Sequence, residues 1–272
     1  MKNTILVADS CSGSINLIKY IQKWADNYQI IYLADYEKNP FGLKKQKEIT
    51  NIVKSWLQHF LTKPNNIKLV IIACNTASIA STNEITKLSK QYKIPIISMI
   101  QGVESCFKIN TDCILNKNVA IMATKYSIES KQYYKILKKY KPKKIINIIG
   151  TKCERAVAHG TYHTQEGQRD IEQELKTFKN KKINTVILAC SCFQSISDQI
   201  KKILGKKIIC LNPAKYVSAS AKKTLKVQRK KKAQKIIMYS TAKSINSING
   251  IKLSSSNNLD KQIKIKFIKI RR

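Results

Sequence analysis

Short, uninterrupted apolar runs alternate with helical patterns along almost the whole 272-residue chain, and this rhythm constrains the fold most. The runs are Ile5–Ala8, Ile30–Ala34, Leu69–Ala73, Pro95–Met99, Val119–Ala123, Lys144–Ile149, Val186–Ala189, Ile208–Leu211 and Ile236–Tyr239. They are apolar throughout rather than at every second residue, as expected for strands covered on both faces. Helical patterns fall between them at Gly13–Trp24, Lys45–Phe60, Ser78–Gln91, Ser127–Lys138, Gly167–Thr177, Gln194–Ile203 and Ala214–Lys226. Strand–helix alternation of this kind builds parallel α/β sheets from βαβ units. The run Ile263–Ile270 alternates Ile and Phe with Lys, which suits an edge strand protected by charge. In parallel sheets ligands bind beyond the carboxyl ends of the strands, so the residues directly after each apolar run matter most.

Composition excludes several classes. A hydrophobic content of 43% supplies a true core and rules out a disordered polycation. No apolar run approaches the roughly 18–20 residues needed to cross a bilayer, and Ile5–Ala8 is too short for a signal peptide, so a cytoplasmic location without membrane association is expected. The net charge of +35, from 51 Lys and Arg against 16 Asp and Glu, invites a nucleic-acid reading. Arg, however, occurs only at positions 155, 169, 229, 271 and 272, and Arg is the residue that clamps phosphates and guanines bidentately. Lys is spread over nearly every segment beside abundant Ile and Asn, which share A/T-rich codons, so most of the charge reads as compositional drift. The dense stretch Lys222–Lys235 is the local exception, able to attract polyanions non-specifically.

Eight Cys are too few for a disulfide scaffold. The Cys190–Cys192 pair has no partner pair at zinc spacing, so no metal site is expected. Two thiols nevertheless stand out. Leu69-Val-Ile-Ile-Ala-Cys74-Asn-Thr-Ala-Ser78 and Thr185-Val-Ile-Leu-Ala-Cys190-Ser-Cys-Phe-Gln194 are alike: an apolar strand, Ala-Cys, small polar residues, then a helix. The repeat suggests two similar α/β halves, each with one thiol at the top of its sheet. A Cys on a strand-to-helix turn meets backbone N–H groups and the positive end of a helix, both of which favour thiolate. Asn75, Thr76 and Ser191 add polar groups able to hold a carboxylate there. Two such thiols across one cleft fit racemisation by acid–base catalysis: one takes the α-proton of an amino acid and the other protonates the opposite face, without a cofactor.

At this point the chain resembles the glutamate racemases of the aspartate/glutamate racemase superfamily. Asp9-Ser10 resembles the family's opening Asp-Ser, and Tyr32-Leu-Ala-Asp35 with Pro40-Phe41-Gly42 resembles its Tyr-Phe-Ala-Asp…Pro-Tyr-Gly segment. Ala73-Cys74-Asn75-Thr76-Ala77-Ser78 matches the first catalytic Cys motif, and Ala189-Cys190-Ser191 takes the place of Gly-Cys-Thr. Ile94-Pro-Ile-Ile97 and the segment from Ala123 to Ser130 follow the family pattern between them. The resemblance implies two doubly wound α/β domains related by a pseudo-two-fold, with the active site in the cleft between them. It implies that Cys74 and Cys190 work opposite faces of glutamate and that Asp9 assists beside Cys74. Ser10, Pro40, Phe41, Gly42, Asn75, Thr76 and Ser191 would hold the substrate, and D-glutamate would feed peptidoglycan synthesis. A homodimer is compatible with this reading.

Residues 1–98 with 209–272 are expected to form the first domain and 99–208 the second. The chain departs from the family pattern at several points, most of them in its second half. Ser191-Cys192-Phe193 replaces Thr-His-Tyr, so the His assisting the second thiol is lost and Cys192 remains only as a weak donor. The family's second-domain Glu has no counterpart near Val157–Thr161, leaving His159, His163 and Glu166 as candidates to compensate. Phe41 lacks the Tyr hydroxyl. These departures keep two alternatives open: a related racemase of aspartate or another amino acid, and an eroded homologue acting as a basic nucleic-acid-binding protein.

Overall fold

The computed structural model describes residues 2–227, 236–244, 249–250 and 263–270, so the part of the Lys222–Lys235 stretch beyond Val227, up to Lys235, lies outside the described residues. Every predicted apolar run is a strand. The first sheet contains β1 (Asn3–Asp9), β2 (Tyr28–Ala34), β3 (Ile67–Ile72) and β4 (Ile96–Ser98). The second contains β5 (Asn118–Ala123), β6 (Lys144–Ile149), β7 (Thr185–Ala189) and β8 (Ile209–Leu211). The chain then returns to the first sheet with β9 (Ile236–Ser240) and β10 (Ile263–Phe267). The orders are β10-β9-β2-β1-β3-β4 and β6-β5-β7-β8, and all pairings are parallel. β10 is an edge strand, as its Lys alternation predicts. The expected domain boundary at 208/209 needs correcting at the level of the sheets: β8 pairs with β7, so the second sheet runs through Leu211.

The helices are α1 (Ile15–Gln22), α2 (Gln46–Leu61), α3 (Asn75–Ala80), α4 (Thr82–Tyr92), α5 (Met99–Ile109) and α6 (Lys125–Glu129). They continue with α7 (Gln132–Lys138), α8 (Thr151–Ala158), α9 (Gln165–Lys176), α10 (Ser197–Leu204) and α11 (Ala214–Thr224). The pattern expected over Ser78–Gln91 is broken at Ser81, and that over Ser127–Lys138 is broken at Lys131, which has a left-handed φ of 56°.

Both faces of each sheet are covered, which explains the continuous apolar strands. In β1, Ile5 and Val7 point into one core with α1 and α11, while Leu6 and Ala8 point into another with α2 and α4. In β5, Ala120 and Met122 face α8, α9 and α10; Val119, Ile121 and Ala123 face α5 and α7. Each fully buried Leu or Ile contributes about 1.5–3 kcal/mol, so this two-sided burial is the main force holding each half together. α5 and α11 tie the halves to one another. Gly102 on α5 lies so close to α11 that an added Cβ would sit 2.3 Å from Val217 Cγ2. Among the described residues no helix is long and apolar enough to cross a membrane.

Candidate active site

The two Ala-Cys turns lie at the carboxyl ends of β3 and β7, the interior strands that pair with β1 and β5. Cys74 ends an extended segment and caps α3: its Sγ accepts the Ala77 N–H at 3.5 Å. Ser10, just after β1, brings its Oγ to 3.6 Å from the same sulfur. Cys74 is buried, and burial pushes its thiol well above the ordinary range, with the nearby Asp9 carboxylate pushing it further. The Ala77 and Ser10 contacts oppose that shift, and the charge of Cys190 adds to it, so the two thiols lie within electrostatic reach. Tyr133 also feels both sulfurs, and its hydroxyl donates to Asn75 Oδ1.

Asp9 is fully buried at the end of β1. Its carboxylate accepts the Ser10 N–H at 2.7 Å, the Ser14 N–H at 3.0 Å and the Ser14 hydroxyl. Ser191, from the second half, hydrogen-bonds it as well. Burial raises Asp9 despite these donors. The Ser12–Ser14 turn makes this convergence possible through Gly13, where a Cβ would lie 2.7 Å from Ser191 Oγ and 2.9 Å from Cys192 Sγ. Only a residue without a side chain lets the loop after β1 reach the loop after β7.

Cys190 is half-buried and its turn continues into a 3-10 helix over Ser191–Ile196, with no cap bond to the sulfur. Cys192 hydrogen-bonds both Cys190 and Cys11, the latter with 3.5 Å between sulfurs. A weak S–H donor therefore stands beside Cys190 where the family pattern has a His. Cys190, Ser191 and Asn75 line one small cavity of about 10 Å³, together with Ser14 and Ala73. That volume has room for about one water. Asn75 Nδ2 is buried there and finds no hydrogen-bond partner among the described residues, a donor available for an anionic ligand.

Of the remaining predicted residues, Thr76 and Gly42 meet the second half, whereas Phe41 turns into the core. Thr76 Oγ1 lies 2.8 Å from Thr124 Oγ1 and 3.3 Å from Ser127 Oγ of the second half. Gly42 accepts the Tyr126 N–H at 3.1 Å, joining the loop after β2 to α6. Pro40 is exposed after a cis Asn39–Pro40 bond. The Phe41 ring is buried against Trp56, with centroids 5.5 Å apart, so this loop offers its backbone rather than that side chain.

Glu154 is the residue that sequence reasoning missed. His163 and Glu166 are exposed, whereas Glu154 on α8 is buried among the site loops and accepts the Asn39 amide at 3.1 Å. Burial pushes its carboxyl up to about 7. The signal was present in Cys153, Ala156 and Val157, whose spacing marks a helix over the segment that carries it.

The chain is similar to known proteins over most of its length. The model of the Asp/Glu/Hydantoin racemase family matches residues 12–219, well over half the chain. A glutamate racemase of Clostridium kluyveri is 27% identical over 247 residues, covering 90% of this chain and 93% of its own. The crystal structure of a glutamate racemase isoform from Bacillus anthracis superposes with a TM-score of 0.80 at 21% identity, covering 98% of both chains. That of Campylobacter jejuni glutamate racemase gives 0.77 at 26% identity, covering 94% of this chain and all of its own. With two matching halves, a thiol at each interior strand end and a family match across both, the chain belongs to the Asp/Glu/Hydantoin racemase family.

Proposed function

We propose that the chain interconverts L- and D-glutamate by a cofactor-independent, two-thiol mechanism and supplies D-glutamate for peptidoglycan. The observation that carries this reading is the placement of Cys74 and Cys190 at equivalent strand ends of two similar halves, near enough for one sulfur's charge to act on the other. The relatives at 26–28% identity are glutamate racemases, and the structure of the Francisella tularensis enzyme was solved in complex with D-glutamate.

In the forward direction Cys190, as thiolate, takes the α-proton from one face, and Cys74, held as a thiol by burial, delivers a proton to the other. The roles exchange in reverse, with the Ala77 N–H and the Ser10 hydroxyl supporting the Cys74 thiolate. Asp9, gripped by Ser10, Ser14 and Ser191, takes up and returns protons beside Cys74. Asn75 Nδ2, without a partner among the described residues, holds a substrate carboxylate, with Thr76, Ser191 and the Pro40–Gly42 backbone completing the cradle.

Protein incubated with L-glutamate in D₂O should yield α-deuterated D-glutamate without added cofactor. Absence of exchange from about pH 6 to pH 9, across the range where thiols exchange protons, would overturn the proposal. Cytoplasmic location, a homodimer and salt-sensitive attraction of polyanions to Lys222–Lys235 accompany this reading as proposals. Heparin retention across a salt series tests the last.

A further inference from the structure

One cluster of buried reactive groups includes none of the residues that carry the substrate's proton or hold its carboxylates in the two-thiol reading. Cys11, from the loop after β1, Glu154, on α8, and Cys192, two residues beyond the second candidate thiol, are all buried. One donor atom from each lies within 4.8 Å of the other two. The two sulfurs are 3.5 Å apart although 181 positions separate them in the chain.

These donors suit a particular class of ligand. Bonds of about 2.3 Å to sulfur and about 2.0–2.2 Å to oxygen place tetrahedral zinc donors roughly 3.5–3.8 Å from one another, so the sulfurs already have the spacing and the carboxylate needs only a short approach. Two thiols and one carboxylate favour a borderline-soft d10 ion over calcium or magnesium, which take oxygen ligands. The Asn39 amide donates to Glu154 Oε1 at 3.1 Å, the outer hydrogen bond that orients a ligating carboxylate. Among the described residues no Lys, Arg or His forms an ion pair with Glu154. The charges acting on Glu154 are those of Asp9 and Glu174, both acidic, in a protein with 51 Lys and Arg. Buried acids are ordinarily paired with a cation or bound to a metal.

From this convergence we propose that Cys11, Glu154 and Cys192 form a binding site for one thiophilic divalent cation of the zinc type. Zinc spacing is absent from the sequence because the ligands come from three separate loops and helices, brought together by the contact at Gly13. Three protein donors leave a fourth position of a tetrahedral ion for water or another ligand. Cys192 also hydrogen-bonds Cys190, so an ion held there would act directly on the second candidate catalytic thiol. The site goes beyond the racemase reading and does not depend on it.

The test uses the full chain, reduced and freed of metal, titrated with Co²⁺ and then with Zn²⁺. The expected result is a thiolate-to-cobalt charge-transfer band that saturates at one equivalent and is bleached by zinc. Cys11→Ala and Cys192→Ala should remove most of that band, and the isosteric Glu154→Gln should weaken cobalt binding about tenfold or more while keeping a thiolate band. Cys74→Ser should leave both band and stoichiometry as in the parent. The proposal is overturned if the parent shows no saturable band, or if the band survives unchanged in Glu154→Gln and Cys11→Ala. Glu154→Gln keeps the side chain's volume and neutral form, so it reports on the site even where a Cys variant folds poorly. None of these readings requires turnover, so failure here leaves the two-thiol proposal standing, and failure of deuterium exchange leaves this one.

Discussion

The two Ala-Cys turns begin alike and end differently. After β3 the chain enters a regular helix, and Cys74 is fixed by the Ala77 N–H, by Ser10 and by burial in the first half. After β7 it enters a 3-10 helix, and Cys190 stays half-buried with Cys192 as its neighbour. The same strand-end geometry thus yields one anchored thiol and one less constrained thiol. The family pattern is intact around the first and altered around the second, where Cys192 stands in place of a His.

The sharpest way to break this comparison is to remove each sulfur. Cys74→Ser and Cys190→Ser should each lower racemisation by about a thousandfold or more, because a hydroxyl is far less acidic than a thiol. Equal losses support a shared two-thiol reaction in spite of the unequal surroundings. Near-normal turnover in Cys190→Ser would mean that the altered half no longer carries a proton, and the mechanism would fail.

Glu154 gives the second contrast, a buried carboxyl on the altered side of the site. Its ordinary value of 4.5 is raised to about 7 by burial, so the folded protein holds a proton that the unfolded chain has released. Stability should therefore fall as the pH rises from about 4.5 to about 7, by up to about 3 kcal/mol, and stay lower above that window. Denaturant unfolding with a chelator present should show this slope, and Glu154→Gln should flatten it. An unchanged slope in the variant would assign the titration to another group.

Gly13 is the point where the two loops meet, and Gly13→Ala tests whether that contact matters. The added methyl would lie 2.7 Å from Ser191 Oγ and 2.9 Å from Cys192 Sγ. Overpacking of this kind costs about 1–3 kcal/mol. Because the displaced residues flank Cys190 rather than Cys74, kcat should fall more than the stability loss alone accounts for. A variant as active and as stable as the parent would show that the loops can separate freely.

Much of this was legible in the sequence, for physical reasons that differ between elements. The strands were legible because burial on both faces makes them continuously apolar, and the thiols because the Ala-Cys repeat marks strand ends. α5 was hidden because its apolar positions Met99, Val103, Cys106 and Phe107 follow directly on β4, and Met99 itself reads as the end of that strand. α8 was missed in the same way after β6, and Glu154 with it. The meeting of Cys11, Glu154 and Cys192 could not be read at all, because it exists only once the loops after β1 and β7 converge across Gly13. The Phe41 substitution reads as a lost hydroxyl in sequence, whereas the fold turns that ring into the core against Trp56.

The smallest expected effect concerns the seam between the intact half and the altered one. Thr76 lies two residues after the first candidate catalytic thiol, yet its hydroxyl bonds Thr124 and Ser127 of the second half. Thr76→Val keeps the shape and removes that bond. Thr124 and Ser127 remain hydrogen-bonded to each other at 3.1 Å, so no hydroxyl is left stranded and the cost should be about 1 kcal/mol. If Thr76 only latches the halves, KM for glutamate should change about as little as stability does. If it holds a carboxylate, as the candidate site has it, KM should rise about tenfold or more while unfolding moves only slightly, because an anionic group loses a hydrogen bond of about 1.5–3 kcal/mol. The ratio of those two changes decides whether the residue belongs to the seam or to the substrate cradle.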